Sequence, residues 1–408
     1  MKFRDPISIM QTRGYVVLLK GEPGTGKTSF ALAAGARYGR LKYISFSEPE
    51  EFIRSKLVKM GGRRAQLEFS AILSSGDIAI SSVLSGLESG WMVVIDSINA
   101  LLDATDSRRS IQQLLYGASK GKKGVLVLIH EGRSESEADY ISDAILEFGY
   151  EDIYGRRIRK VSVLKDRNYP TTGHPYLYTF NNGRIRIFNG SLRGKTQDPQ
   201  PIRSVVFPVS PYPYLSESNI LVLVSRTVHR QLVKLMKVFF ASYYSMLGKK
   251  VMLEASPDED PEEIKKLYNK LTGGMASPAI TRKPYLKTHD DGVQYLRSLE
   301  SAIRGLGSRG VLIVDTLPDE SFVLLEPAQY NLFAQQKIEL LLRYNYTRLI
   351  FSYESFASTR VQEKYADAVK ALTDYNGTLV WVSLKPPGNA YAIEVDFAKS
   401  SLRNFLMV

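Results

Sequence analysis

The chain lacks several features that whole classes of protein require. It has no cysteine among its 408 residues, which excludes disulfide frameworks, thiol catalysis and cysteine-ligated zinc. It has only four histidines, and none is paired with another at a metal-ligand spacing, so we expect no histidine metal site. The longest apolar runs are about five residues, whereas a membrane-spanning helix needs about 20. We therefore expect no insertion into a membrane.

The first residues also lack the apolar stretch of a secretory signal, because Asp5 and Pro6 interrupt it. We therefore expect a cytoplasmic protein. The composition is that of an ordinary globular chain, with 44% hydrophobic and 24% charged residues. The net charge of +12 is compatible with a nucleic-acid partner, but the basic clusters are short and dispersed. We interpret the charge first as that of a solvated surface and leave nucleic acid open as a partner.

Strands alternate with helices along the first half of the chain. Short apolar runs predict strands at 15–19, 42–46, 91–95, 125–129 and 161–165, with helices at 28–38, 49–60 and 111–119. Two further strands flank Asn181-Asn182-Gly183, which is typical of a hairpin turn. This order predicts an α/β domain with a mainly parallel sheet.

The second half repeats this order after a proline-rich segment. Five prolines fall between residues 199 and 213, which predicts an extended linker. Beyond it, NILVLVSRTVHRQLV corresponds to YVVLLKGEPGTGKTSF, and GVLIVDT corresponds to GWMVVIDS. We therefore predict two copies of one α/β domain, at residues 1–195 and 218–408, joined by a linker at 196–217.

Residues 21–28 read GEPGTGKT, which fits the phosphate-loop pattern G-x-x-x-x-G-K-[ST] between a predicted strand and a predicted helix. Glycines let the backbone wrap closely around phosphate, and the loop N–H groups and the helix N-terminus face the anion. Lys27 is predicted to contact the β- and γ-phosphates, and the Thr28 hydroxyl to bind Mg²⁺. The predicted nucleotide-binding residues are Gly21, Glu22, Pro23, Gly24, Thr25, Gly26, Lys27, Thr28 and Ser29.

Two carboxylates follow predicted strands and are candidates to complete this site. Asp96 ends an apolar strand and is predicted to hold Mg²⁺ through water opposite Thr28, the alternative being a cap of the next turn. Glu48 follows the second strand and is predicted to orient the attacking water. Glu50 and Glu51 compete for that role but fit better at the start of a helix, where negative charge suits the dipole.

Lys165 and Arg167 form a K-x-R spacing at the end of a predicted strand. Residues two apart in an extended segment face the same side. Two cations so placed suit the γ-phosphate held by a neighbouring subunit, where they would stabilise transition-state charge. The alternative is an ordinary solvated strand end.

Together with YISFSEPEEFIRSKLVKMG, WMVVIDS and RRIRKVSVLKDRNYPTTGHPYLYTFNNGRIRIF, the phosphate loop makes residues 5–190 resemble the KaiC-like branch of the RecA-superfamily ATPases. The resemblance implies RecA-like P-loop domains, Mg-ATP hydrolysis and a homo-oligomeric ring, typically a hexamer, with ATP between subunits. It favours the trans-acting role for Lys165 and Arg167. Regulatory protein partners and autophosphorylation also occur in this family, but no acceptor residue stands out.

The sequence departs from the family in two places. The family commonly has two adjacent glutamates after the second strand, and here Ser47 takes the place of the first, which leaves Glu48 and implies slow hydrolysis. In the second half, residues 225–232 read SRTVHRQL, without a glycine, so we expect no nucleotide there. Asp315 stands at the position that matches Asp96. The second domain is therefore predicted to be a degenerate RecA-like copy.

These expectations describe an oligomeric regulatory switch or scaffold that binds Mg-ATP and hydrolyses it slowly. The second domain would stabilise the assembly or recruit partners. One alternative is a DNA-dependent ATPase of the recombinase kind, which the basic charge favours and the acidic segment 130–140 opposes. The other is a non-hydrolysing assembly protein that keeps ATP as a structural ligand, which Ser47 favours.

Overall fold

The computed structural model describes residues 4–46, 48–62, 66–71, 76–103, 117, 123–181, 184–189, 192–193, 219–272, 278–307, 310–315, 325–344, 346–354, 357–396 and 401–407. The chain divides into two compact units, Met1–Asn189 with Met407–Val408, and Gly190–Leu406. The predicted linker at 196–217 lies outside the described residues. The short strand Leu192–Arg193, which the sequence analysis assigned to the first domain, pairs with a strand of the second unit.

The first unit forms a nine-stranded sheet flanked by helices. Its strands are β1 (Val16–Gly21), β2 (Arg40–Ser45), β3 (Gln66–Ala71), β4 (Met92–Asp96), β5 (Val125–Glu131), β6 (Ala144–Ile153), β7 (Arg156–Asp166), β8 (Tyr176–Asn181) and β9 (Arg184–Phe188). Its helices are α1 (Pro6–Met10), α2 (Lys27–Tyr38), α3 (Glu50–Lys59), α4 (Gly76–Glu88), α5 (Ile98–Asp103) and α6 (Glu137–Ile141). The strand order is β3-β2-β4-β5-β1-β6-β7-β8-β9, parallel from β3 to β6 and antiparallel from β6 to β9.

Strand β1 lies at the centre of this sheet and is buried on both faces. On one face Val17 and Leu19 pack with α2, and on the other Val16 and Leu18 pack with residues of α4, α5 and α6. A strand covered on both sides gains from apolar residues at every position, so it is a continuous apolar run rather than an alternating one. This is why the runs that became β1, β4 and β5 were recognisable in the sequence.

Strands β6 and β7 form a long antiparallel ribbon with one irregularity. Ile145 pairs with Lys165 and Leu146 with Val163, so Leu164 is an extra residue in β7 and forms a β-bulge. Its side chain is turned outward and is 52% exposed.

The second unit forms a ten-stranded sheet with helices packed against it. Its strands are β10 (Leu192–Arg193), β11 (Asn219–Val224), β12 (Lys250–Ala255), β13 (Ala279–Arg282), β14 (Gly310–Asp315), β15 (Thr347–Tyr353), β16 (Ala368–Tyr375), β17 (Thr378–Lys385), β18 (Ala390–Asp396) and β19 (Ser401–Met407). Its helices are α7 (Arg230–Met246), α8 (Pro261–Thr272), α9 (His289–Arg304), α10 (Pro327–Leu342) and α11 (Ala357–Tyr365).

The order β13-β12-β14-β15-β11-β16-β17-β18 in the second sheet repeats the order β3-β2-β4-β5-β1-β6-β7-β8 in the first. The bulge recurs as well, since Val369 pairs with Lys385 and Lys370 with Ser383, which leaves Leu384 as the extra residue of β17. The predicted fold class is therefore confirmed. The chain has two tandem α/β units with mainly parallel sheets, an architecture consistent with two RecA-like domains.

Several elements were not predicted from the sequence. They are α1, β3, α4, α5, α6 and β6 in the first unit and β10, β13, α9, α11, β16, β18 and β19 in the second. The predicted helix at 111–119 falls, except for Gly117, outside the described residues. Within the described ranges, none of the helices has the length and apolarity needed to cross a membrane.

Candidate functional site

The loop between β1 and α2 depends on three glycines with positive φ angles. Gly21 has φ 146°, Gly24 has φ 80° and Gly26 has φ 95°. A Cβ atom on Gly21 would lie 2.3 Å from the carbonyl oxygen of Phe148, and one on Gly26 would lie 3.1 Å from a ring carbon of Phe180. Side chains are strained at these angles and blocked at two of the three positions, so the loop can follow this course only with glycine.

Hydrogen bonds turn the loop carbonyls towards β6 and β8. The Tyr150 hydroxyl donates to the carbonyl oxygen of Gly24 at 2.8 Å, and the Tyr178 hydroxyl donates to that of Thr25. In a trans peptide the N–H points opposite to the carbonyl. The N–H groups of Thr25 and Gly26 therefore point away from these strands, and that of Thr25 donates to the carbonyl oxygen of Glu22 at 3.4 Å.

The first turn of α2 begins without a side-chain cap. Its N-cap residue is Gly26, which has no side chain to accept from the helix N–H groups. Uncapped N–H groups and the positive end of the helix dipole attract an anion. Ser29 lies half-buried in this turn, whereas Glu22, Pro23 and Gly24 are exposed on the loop. A cradle of backbone N–H groups that a Cβ would fill is the geometry that suits a phosphate chain.

Lys27 is buried and reaches back across the loop. Its Nζ donates to the carbonyl oxygens of Gly21 at 2.6 Å and Glu22 at 3.0 Å. Burial lowers the pKa of Lys27, while the nearby carboxylates of Glu131 and Asp96 favour its charged form. The ammonium is therefore held at the loop, in an environment where additional negative charge would stabilise it.

Thr28 and Asp96 meet directly. The Thr28 hydroxyl donates to Asp96 Oδ2 at 2.9 Å, and the Tyr43 hydroxyl donates to the same oxygen. Burial and the Asp96 charge raise the pKa of Tyr43 well above its usual value, so this phenol stays a donor. Hydroxyl and carboxylate oxygens are ligands that Mg²⁺ prefers, and Mg²⁺ commonly takes only one or two from the protein, with phosphates and water supplying the others. The residues present fit that ion.

Glu48 lies beyond the end of β2, at the same edge of the sheet as the loop. Its backbone N–H donates to the Ser45 hydroxyl at 2.9 Å, which fixes the turn. Its carboxylate forms an ion pair with Lys56 of α3 at 3.2 Å. Burial and the charges of Asp96 and Glu48 raise the pKa of Tyr43, so both carboxylates lie near the Tyr43 hydroxyl. Ser47 lies outside the described residues.

Lys165 and Arg167 lie at the opposite edge of the sheet. Asp166 pairs with Ala144 and Ala144 with Val17, near the start of β1. The loop begins four residues later, at Gly21, which at about 3.3 Å per residue is roughly 13 Å away. The structure therefore brings together residues 21–29, Asp96 and Glu48, and it places the backbone of Lys165 and Arg167 towards the start of β1, away from the loop.

Three tyrosines contribute to the site although the sequence analysis did not identify them. Tyr43 precedes Ser45 by two residues, and Ser45 pairs with Asp96, so the alternation of β2 puts the Tyr43 ring on the Asp96 face. That signal was available once both strands had been predicted. Tyr150 and Tyr178 were not identifiable in this way, because their contacts with the loop depend on the course of β6 and β8.

The equivalent loop of the second unit is built differently. Residues 225–229 join β11 to α7 and match residues 22–26 in number, so Arg230 takes the position of Lys27. The N-cap is His229, whose Nδ1 accepts from the N–H of Gln231 at 3.2 Å. Arg230 forms an ion pair with Asp258 at 2.9 Å. A capped helix N-terminus and a connecting loop without glycine make this a poor phosphate site. The Asp315 side chain lies outside the described residues.

Comparison with protein-family models gives no match, and comparison with curated proteins gives no significant match. The similarity of the motifs to the KaiC-like branch therefore stays a resemblance. What the chain does has to be inferred from the loop and the groups around it.

Gly21→Ala and Gly24→Ala should differ in how much they destabilise the first unit. An alanine at Gly21 meets the Phe148 carbonyl, so we expect the first unit to lose about 3 kcal/mol or more in its free energy of unfolding. An alanine at Gly24 meets only the Tyr150 hydroxyl, at 4.0 Å, so the cost is about 1–2 kcal/mol from the positive φ. Urea denaturation measures both, and equal losses would contradict the assigned geometry.

The lowered pKa of Lys27 predicts a pH dependence of nucleotide affinity. If a triphosphate binds this loop, its charge favours the ammonium, so the pKa of Lys27 would be higher in the complex than in the free protein. Between those two pKa values, affinity should fall as pH rises, by up to about tenfold per pH unit. Calorimetric titration with ATP from about pH 7 to pH 10 measures the slope. Lys27→Arg keeps its charge throughout, so its slope should be smaller, and identical slopes would refute the assignment.

Proposed function

We propose that the first unit binds Mg-ATP at residues 21–28 and hydrolyses it slowly between copies of the chain. One observation carries this proposal: a loop that only glycines can form leads directly into Lys27 and Thr28, with the Thr28 hydroxyl bonded to Asp96. A backbone cradle, a buried cation and a pair of oxygen ligands are the three parts that a nucleotide triphosphate with its metal ion requires.

Each residue has a separate role in this mechanism. The N–H groups of the loop and of the first turn of α2 bind phosphate oxygens. Lys27 exchanges its bonds with the Gly21 and Glu22 carbonyls for the β- and γ-phosphates. Thr28 and Asp96 would hold Mg²⁺, and the ion would neutralise charge that develops on the phosphates. Glu48 orients the water that attacks the γ-phosphate.

The position of Lys165 and Arg167 supports their action on a neighbouring copy. Their backbone lies towards the start of β1, whereas the loop follows the end of that strand. A head-to-tail contact between copies would bring this end of β7 to the next loop, and such contacts form a ring when the rotation from copy to copy closes. We therefore propose a homo-oligomeric ring, a hexamer by resemblance, in which each site is complete only with residues from the adjacent chain.

The second unit and the slow turnover fit a regulatory role. The second unit repeats the fold without the glycine loop, which suits support of the assembly or recruitment of a partner. We place the protein in the cytoplasm. A second candidate is an assembly protein that binds ATP without hydrolysing it, favoured by the ion pair between Glu48 and Lys56. Single-turnover measurement of bound ATP separates the two candidates.

Lys27→Ala should abolish ATP binding, because it removes the cation that the phosphates require. Arg230→Ala, at the equivalent position of the second unit, is the matched control and should leave affinity unchanged. Both affinities are measured by titration with a fluorescent ATP analogue. Unchanged binding in Lys27→Ala, or lost binding in Arg230→Ala, would refute the assignment of the site to the first unit.

Arg167→Ala should lower turnover by roughly 10³-fold if its guanidinium stabilises the transition state. Mixing Arg167→Ala chains with Lys27→Ala chains should restore part of the activity, because the Lys27→Ala chain supplies a normal Arg167 to its neighbour's intact loop. Phosphate release in the mixture, compared with each variant alone, provides the measurement. Absence of any restoration would count against action between chains.

A further inference from the structure

Arg167 is held in place by a buried carboxylate. The side chain of Asp143 is 1% exposed, and its Oδ1 forms an ion pair with Arg167 Nη1 at 2.9 Å. The Arg167 N–H also donates to the carbonyl oxygen of Asp143, at 2.8 Å. Arg167 is thus held by both the backbone and the side chain of one residue, while 41% of its side chain stays exposed towards solvent.

Asp143 is in turn attached to the strand that leads into the phosphate loop. Its Oδ2 accepts from the backbone N–H of Val16, the first residue of β1, at 3.0 Å. Its own N–H donates to the Val16 carbonyl at 2.8 Å. Both carboxylate oxygens are therefore engaged, so the group has little freedom to rotate. The position of the Arg167 guanidinium is therefore fixed relative to β1, through Asp143.

Lys165 depends on the same segment of the chain. Its Nζ donates to the carbonyl oxygen of Asp139 at 3.0 Å, and the Asp139 carboxylate forms an ion pair with Lys20 at 2.9 Å. Lys20 immediately precedes Gly21. Residues 139–143 thus connect both cations to β1, Lys165 near the end of the strand and Arg167 at its start.

The second unit shows which part of this arrangement is structural. Asp367 takes the place of Asp143, and its carboxylate accepts from the N–H of Asn219, the first residue of β11, at 2.8 Å. Pro387 takes the place of Arg167, two residues after the lysine that follows the bulge. The bond from aspartate to strand is therefore common to both units. A proline cannot form an ion pair. The aspartate–arginine pair therefore occurs in the first unit, which also has the glycine loop, and not at the equivalent position of the second.

We propose that Asp143 is a positioning residue, which fixes the Arg167 guanidinium at the place where a neighbouring copy presents its γ-phosphate. This inference rests on the proposed function, since it assigns the support for the cation of that same site. The energetic reason is that a fixed guanidinium loses no side-chain freedom when it meets the transition state.

Asp143→Asn tests this inference, because the amide oxygen still accepts from Val16 while the charge that holds Arg167 is lost. We expect ATP affinity within about twofold of the unaltered chain and turnover at saturating ATP lower by about tenfold or more. Asp367→Asn is the matched control, since it loses the same charge at the start of β11, and its turnover should be unchanged. Equal turnover in Asp143→Asn and the unaltered chain would overturn the inference.

Two further measurements exclude a general structural effect. If Asp143 acts through Arg167, the double variant Asp143→Asn/Arg167→Ala should be no slower than Arg167→Ala alone. Mixing Asp143→Asn chains with Lys27→Ala chains should restore activity, because the latter supply a correctly held Arg167 to the intact loops. A slower double variant, or no restoration, would mean that Asp143 acts on its own loop. Failure of the unaltered chain to bind ATP would overturn the proposed function and this inference together, whereas normal binding with unaffected Asp143→Asn overturns only the inference.

Discussion

The central constraint on the first unit is the path of the backbone from β1 into α2. The chain leaves the middle of a sheet that is covered on both faces, and it must turn within five residues into a helix packed on one of those faces. Three positive φ angles achieve this turn, and each of them strains an ordinary side chain. Because glycines themselves impose little conformational restriction, the loop is held in place from outside, by Tyr150, Tyr178 and the paired backbone of Gly132.

The central strands and the loop between β1 and α2 could be predicted from the sequence, because the strands have a recognisable residue pattern. Parallel strands buried on both faces are apolar throughout, so β1, β4 and β5 stood out, and the loop pattern between β1 and α2 located the site. Strand β6 could not be recognised in this way, because its sequence, AILEFGYEDI, mixes apolar and charged residues, and its burial varies along the strand. Its partner β7 was recognised only at 161–165 for the same reason. The contacts of Glu48 with Lys56 and of Asp143 with Arg167 depend on side-chain directions that no local pattern encodes.

The second unit shows that the fold and the loop are separable. Its strands follow the same order and its connection from β11 to α7 has the same length, although no glycine is present between residues 225 and 229. The first unit has uncapped N–H groups at the start of α2, whereas the His229 side chain caps α7 in the second unit. The buried Lys27 of the first unit corresponds to Arg230, which forms an ion pair with Asp258. This α/β fold therefore forms and buries its core without a phosphate-binding loop.

The bulges at Leu164 and Leu384 determine which face of the sheet the side chains of the following strand residues point to. Side chains alternate along a strand, so one additional residue exchanges inside and outside for every later position. The direction of Lys165 is thus determined by the number of residues in β7, irrespective of their chemistry. Shortening the chain by one residue there would leave its charge and composition almost unaltered, yet it would turn the strand end towards the opposite face of the sheet. An insertion or deletion at this point would be more disruptive than most substitutions nearby.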